Sequence, residues 1–145
     1  MDQRLSLLTL GVRDLAQARA FYERLGWRGQ EVQETVFFQA GGIAFVLWSR
    51  PALADDAGLP DADEQARFGG IAMAQNVRSV AEVDQALQEA VDAGGRITQP
   101  AQETFYGGYA GYFADPEGHV WEIAYNPGFT LNDDGSLTLP DFGTA

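Results

Sequence analysis

Leu8-Thr9-Leu10-Gly11-Val12-Arg13-Asp14-Leu15 runs from a strand pattern into a helix, and Met73-Ala74-Gln75-Asn76-Val77-Arg78-Ser79-Val80 does the same at one constant offset. A weak internal repeat of this kind outranks any single-segment reading, because each copy marks one supersecondary unit. In the first copy Asp14 can cap a helix whose apolar positions Leu15, Ala18, Phe21, Tyr22 and Leu25 recur at helical spacing until Gly26. In the second, Ser79 and Glu82 form a capping box ahead of Val80, Val83, Leu87, Ala90 and Val91, and Gly94-Gly95 stop the run. The patterns predict helices near residues 15–25 and 80–93.

Strand-like segments follow each helix. Val36-Phe37-Phe38 and Ile43 to Trp48 flank Gly41-Gly42, and Tyr109 to Ala114 and His119 to Tyr125 flank Asp115-Pro116-Glu117-Gly118. In that last turn Pro116 presets φ and Gly118 can take positive φ where the chain reverses. With a weaker strand near residues 97–99, each half reads β-α-β-β-β. The fold class is therefore α+β, with two such modules over about 5–50 and 68–128. Residues 51–67, rich in Ala, Asp and Gly with little periodicity, read as an exposed linker, and residues 129–142 as an appended hairpin.

Composition narrows the chemistry. The 145 residues include no cysteine, no lysine and one histidine, His119. Thiolate nucleophiles, Schiff bases and paired histidine ligands are thereby excluded. A formal charge of −12 with scattered arginines argues against a nucleic-acid partner. Met1-Asp2-Gln3-Arg4 lacks a basic start and apolar block, and no apolar run approaches membrane-spanning length, so a cytoplasmic protein with no membrane partner is expected.

The stretch Leu8 to Leu15 with Phe21-Tyr22-Glu23-Arg24-Leu25-Gly26, and later Tyr112-Phe113-Ala114-Asp115-Pro116-Glu117-Gly118-His119-Val120-Trp121-Glu122, resembles the two hallmark stretches of the vicinal oxygen chelate superfamily. That superfamily holds glyoxalase I, extradiol dioxygenases and bleomycin and fosfomycin resistance proteins. The resemblance covers roughly residues 5 to 128. It implies sheets curled into a bowl that holds a small-molecule ligand, a homodimer as the usual assembly, and a divalent metal held from the first and last strand of each module.

Checked one by one, those positions fall on Leu7, on Gly70 or Ala72, on Val46 and on Glu122. Val46 is reached by superposing Gly42-Ile43-Ala44-Phe45-Val46 on Gly118-His119-Val120-Trp121-Glu122. Glu122 alone keeps the family's residue, so neither metal nor other cofactor is expected.

Strand alternation sends Val120, Glu122 and Ala124 to one face and Trp121, Ile123 and Tyr125 to the other, under a helix. Glu122 is the candidate general acid or base, or an anchor for a polar or cationic group. Leu7, Thr9, Val46, Ala72, Tyr106, Tyr109, Tyr112 and Glu122 make up the candidate ligand-binding set, with aromatics beside Gly107, Gly108 and Gly111 supplying flat walls. His119 lies opposite Glu122 by parity and reads as a surface hydrogen-bonding residue. The expectation is a metal-independent binding protein for a small hydrophobic or aromatic molecule. The alternative is a lyase, isomerase or epimerase using Glu122, and a metal-dependent glyoxalase or dioxygenase ranks below both.

Overall fold

A computed structural model describes residues 3, 5–61, 68–69 and 71–142. The chain divides into two compact units, Met1–Gly69 with Pro116–Gly118, and Gly70–Asp115 with His119–Ala145. The first unit holds β1 (Leu7–Val12), α1 (Leu15–Arg24), β2 (Gly29–Val32), β3 (Thr35–Ala40), β4 (Ile43–Ser49) and α2 (Arg50–Asp56). The second holds β5 (Ala72–Val77), α3 (Val80–Asp92), β6 (Arg96–Glu103), β7 (Tyr109–Ala114) and β8 (Val120–Tyr125), then a hairpin of β9 (Thr130–Leu131) and β10 (Leu137–Thr138).

The repeat is real in three dimensions. One sheet has strand order β1-β4-β3-β2 and the other β5-β8-β7-β6. In each, the first strand lies parallel to the last, and the other pairs are antiparallel. Asp14 accepts from Gln17 N at 2.9 Å and Ser79 from Glu82 N at 3.2 Å, so both helices start where their caps direct. Glu82 returns the bond to Arg78 N, completing the box.

Each helix buries its apolar stripe on one face of its own sheet. Ala18, Phe21 and Tyr22 of α1 are buried with Leu10, Val12, Val36, Phe38, Phe45 and Leu47, and Val83, Leu87 and Ala90 of α3 with Phe113, Trp121 and Ile123. The Phe113 and Trp121 rings stack at 6.3 Å. Trp121 and Ile123 thus lie on the helix side, as alternation requires, whereas Tyr125 is only half-buried near the strand's end.

Three segments differ from the sequence reading. Residues 51–56, taken as linker, belong to the short helix Arg50–Asp56, capped by Ser49 with Pro51 at its start. None of its residues is buried, so it shows no amphipathic stripe to read, and its Ser-x-Pro start was the only signal. Residues 62–67 of that stretch lie outside the described residues. The strand expected near 97–99 extends over Arg96–Glu103 and passes Pro100 through two register shifts. As a sheet edge, β6 tolerates a proline that a central strand would not. Strand β2, exposed at every residue but Gly29, has no apolar alternation.

The β2–β3 turn joins Val32 to its partner Thr35 through Gln33 and Glu34, both at positive φ (48° and 61°). A two-residue loop of this hand favours Asn-Gly, because Cβ crowds the following carbonyl oxygen in the left-handed region, a clash that Gly lacks and Asn offsets by local hydrogen bonding. Replacing Gln33-Glu34 with Asn-Gly is expected to raise stability by about 1 kcal/mol. Urea unfolding checks this, and an unchanged or lower midpoint would show that the turn is unstrained.

Candidate functional site

The parallel registers fix which positions of the two sheets correspond. Leu7 pairs with Ala44 and Thr9 with Val46, while Ala72 pairs with Val120 and Ala74 with Glu122. Ala72 is therefore the counterpart of Leu7, and Val46 the counterpart of Glu122. Gly70, the other reading of that position, lies outside the described residues.

Leu7, Thr9 and Val46 share the face of the first sheet that points away from α1. Val46 is buried and Leu7 exposed. Ala72, Val120, Glu122 and Ala124 share the corresponding face of the second sheet. On the neighbouring strand, Ala110, Tyr112 and Ala114 pair with Ala124, Glu122 and Val120, which puts them on this face too.

At its centre the Tyr112 hydroxyl donates a hydrogen bond to Glu122 Oε2. Cross-strand pairing dictates this contact, since Tyr112 and Glu122 are direct register partners. The carboxylate's acceptance of that bond, then burial, push the Tyr112 phenol up to about 12. The phenol therefore remains a donor at any physiological pH. Glu122 makes no salt bridge among the described residues.

Tyr106 sits in the β6–β7 turn near Tyr112, whose phenol its charge pushes up slightly. Its ring closes over Gly108, where an added Cβ would come within 2.6 Å of it. Phe105, fully exposed, meets Tyr106 edge-on at 5.3 Å.

Tyr109 departs from the expected grouping. It is three residues from Tyr112 along one strand and so lies on the helix side, where its hydroxyl donates to Asp84 at 2.8 Å. That bond is the main cause of its raised phenol pKa. Tyr109 belongs with α3 and not with the Glu122 face.

The Asp115–Gly118 turn does more than reverse the chain. Buried Asp115 accepts from His119 N at 2.8 Å and faces His119 Nδ1 at 3.1 Å. The lone histidine is thus a hydrogen-bonding residue of the turn. Glu117 accepts from Arg13 N at 3.0 Å and Asp14 N at 2.9 Å, placing its carboxylate at the start of α1. Sequence reasoning missed this role, because it spans more than a hundred residues of chain.

The donor chemistry does not fit a divalent metal. Of the four corresponding positions, Leu7, Val46 and Ala72 carry no donor atom and Glu122 carries one carboxylate. No group of three His, Cys, Asp or Glu side chains able to hold a metal exists among the described residues.

Two β-α-β-β-β units, each with its first and last strands parallel, define a paired-module α+β protein with a candidate binding face on the sheet side opposite the helix. The chain belongs to the Glyoxalase/Bleomycin resistance protein/Dioxygenase superfamily, whose family model matches residues 4–123. A glyoxalase-related enzyme from Fulvimarina pelagi is 38% identical, with a TM-score of 0.85, covering 94% of this chain and 98% of its own.

More distant structures share the fold. Lactoylglutathione lyase from Agrobacterium tumefaciens is 21% identical at a TM-score of 0.62, with 86% of this chain and 94% of its own covered. A fosfomycin resistance protein from Mesorhizobium loti is 20% identical at 0.64, with 87% and 94% covered. No functionally curated protein matches the chain. No helix among the described residues is long and apolar enough to cross a membrane.

Proposed function

We propose that this chain binds a small, hydrophobic or aromatic molecule on the Glu122 face without a metal. The observation that carries the reading is the Tyr112–Glu122 pair, a carboxylate without a salt bridge among the described residues, set among alanines and Val120. With Tyr112 donating to Oε2, Oε1 remains an acceptor for an N–H, O–H or cationic group of the ligand. The side chains around it are small and apolar, and few polar groups with mostly apolar walls is the usual pattern of a ligand site.

A second reading, a lyase, isomerase or epimerase, draws on the same pair. Glu122 would take a proton from carbon next to a carbonyl, and its neutralisation would free the Tyr112 O–H, still protonated at physiological pH, to turn to the oxygen that gains charge.

Elemental analysis of purified protein and thermal shifts with benzylamine or divalent metals test the binding reading. Benzylamine is expected to stabilise the native protein, by about 2.7 kcal/mol at a hundred times its Kd. Glu122→Gln is expected to abolish that shift without lowering the basal melting temperature by more than a few degrees. Near one equivalent of metal per chain, lost in Glu122→Ala, would overturn the proposal.

A further inference from the structure

A cavity of about 250 Å³ lies in the second unit where the parallel strands β5 and β8 end, and the C-terminal hairpin contributes to its wall. Its polar lining comes from Asn76, Arg78, Tyr125 and Asn126, and its apolar lining from Phe129, Leu131 and Leu137 among others. Phe129, Leu131 and Leu137 all follow residue 123, where the family match ends. The cavity therefore joins Asn76, Val77 and Arg78 of the matched region to wall residues that lie beyond it.

Its charge runs against that of the chain. The chain carries 21 acidic side chains against nine basic ones, yet no Asp or Glu lines this cavity, and Arg78 does. The Arg78 guanidinium is held by two backbone carbonyls, Nη1 to Leu131 O at 2.9 Å and Nη2 to Asn132 O at 2.6 Å. Two neutral acceptors fix its position and leave its full positive charge in place, with further N–H donors to spare. Among the described residues, neither the Asn76 amide nor the Tyr125 hydroxyl hydrogen-bonds another side chain or the backbone. A fixed cation, an amide and a phenol thus stand beside the rings of Tyr125 and Phe129.

We infer that this cavity is a binding site for a small aromatic carboxylate, separate from the Glu122 face. Arginine recognises a carboxylate by parallel N–H donors, and the rings and leucines receive the flat apolar part. The volume falls below the roughly 300–1,000 Å³ of drug-sized pockets, which limits the ligand to about one ring with its acid group.

Benzoate is the probe, followed by amide NMR on the full chain, with benzylamine as its cationic counterpart. Benzoate is expected to shift Arg78, Tyr125 and Phe129 saturably, and benzylamine to leave them in place. Arg78→Gln should weaken benzoate at least roughly tenfold, the size of one lost charge-assisted hydrogen bond. Arg78 also holds the hairpin, so Asn76→Leu, which keeps both carbonyl bonds, should weaken benzoate by a similar factor in a protein with the hairpin signals intact. Glu122→Gln should leave benzoate binding unchanged while removing the benzylamine response, so the two sites fail separately. The inference is overturned if benzoate shifts none of these residues, if both cavity variants bind it as the wild type does, or if its shifts cluster around Glu122.

Discussion

Tyr22→Ala is expected to lower folding stability by about 3–5 kcal/mol, the usual cost of truncating a buried aromatic. Tyr22 is 1% exposed and its ring lies 4.9 Å from Phe45, 5.0 Å from Phe21, 5.4 Å from Trp27 and 5.8 Å from Phe38. Edge-on and tilted contacts with four rings mean that no single neighbour can move into the space left behind. The cavity term therefore adds nearly in full to the lost transfer energy. Domains of this size are stable by roughly 5–15 kcal/mol, so the first unit should melt well below the second or take the whole chain with it. The corresponding position on α3 is Leu87, whose truncation removes fewer atoms and no ring–ring pair and should cost about 2–4 kcal/mol. Denaturant unfolding of both variants checks the order. A Tyr22→Ala midpoint within the range of surface substitutions would mean that the aromatic cluster does not hold the first unit together.

The same repeat that gives this comparison was the most legible feature of the chain. Caps at Asp14 and Ser79, stops at Gly26 and Gly94, and the apolar stripes between them are local signals, and both long helices lie where those signals place them. The Asp115–Gly118 turn and the C-terminal hairpin were legible for the same reason. What was not legible lacked a local signature. Helix α2 buries no residue, β2 is nearly all exposed, and β6 crosses Pro100 by shifting register on a sheet edge.

Parity within one strand placed Glu122 correctly against Trp121 and Ile123, because β8 is regular. Grouping residues by type rather than parity misplaced Tyr109, which stands three positions, an odd step, from Tyr112. The Tyr112–Glu122 bond depends on the β7–β8 register, and the turn between those strands, read correctly, would have given it. The Arg78 cavity had no such route, since two carbonyls more than fifty residues away position its guanidinium.

Glu122→Gln is expected to bring the Tyr112 phenol down from about 12 toward the ordinary value near 10, roughly a hundredfold change in its ionisation at a given alkaline pH. The main cause of the elevation is the hydrogen bond to Glu122, which holds the neutral phenol as donor, with burial second and the Glu122 charge third. A neutral amide removes the charge and weakens the bond, while burial persists, so the return should be large but incomplete. The sign for stability follows from the same shift. A phenol with a raised folded pKa stabilises the fold fully below about pH 10, and that contribution is lost as pH rises from about 10 through about 12. In Glu122→Gln this alkaline loss should shrink. NMR of ring Cζ carbons resolves the five tyrosines, and Tyr109, whose elevation comes from Asp84, serves as the internal reference that the substitution should not move. If Tyr112 titrates alike in both proteins, the two side chains are not coupled, and Glu122 loses the fixed orientation on which its role as ligand anchor depends.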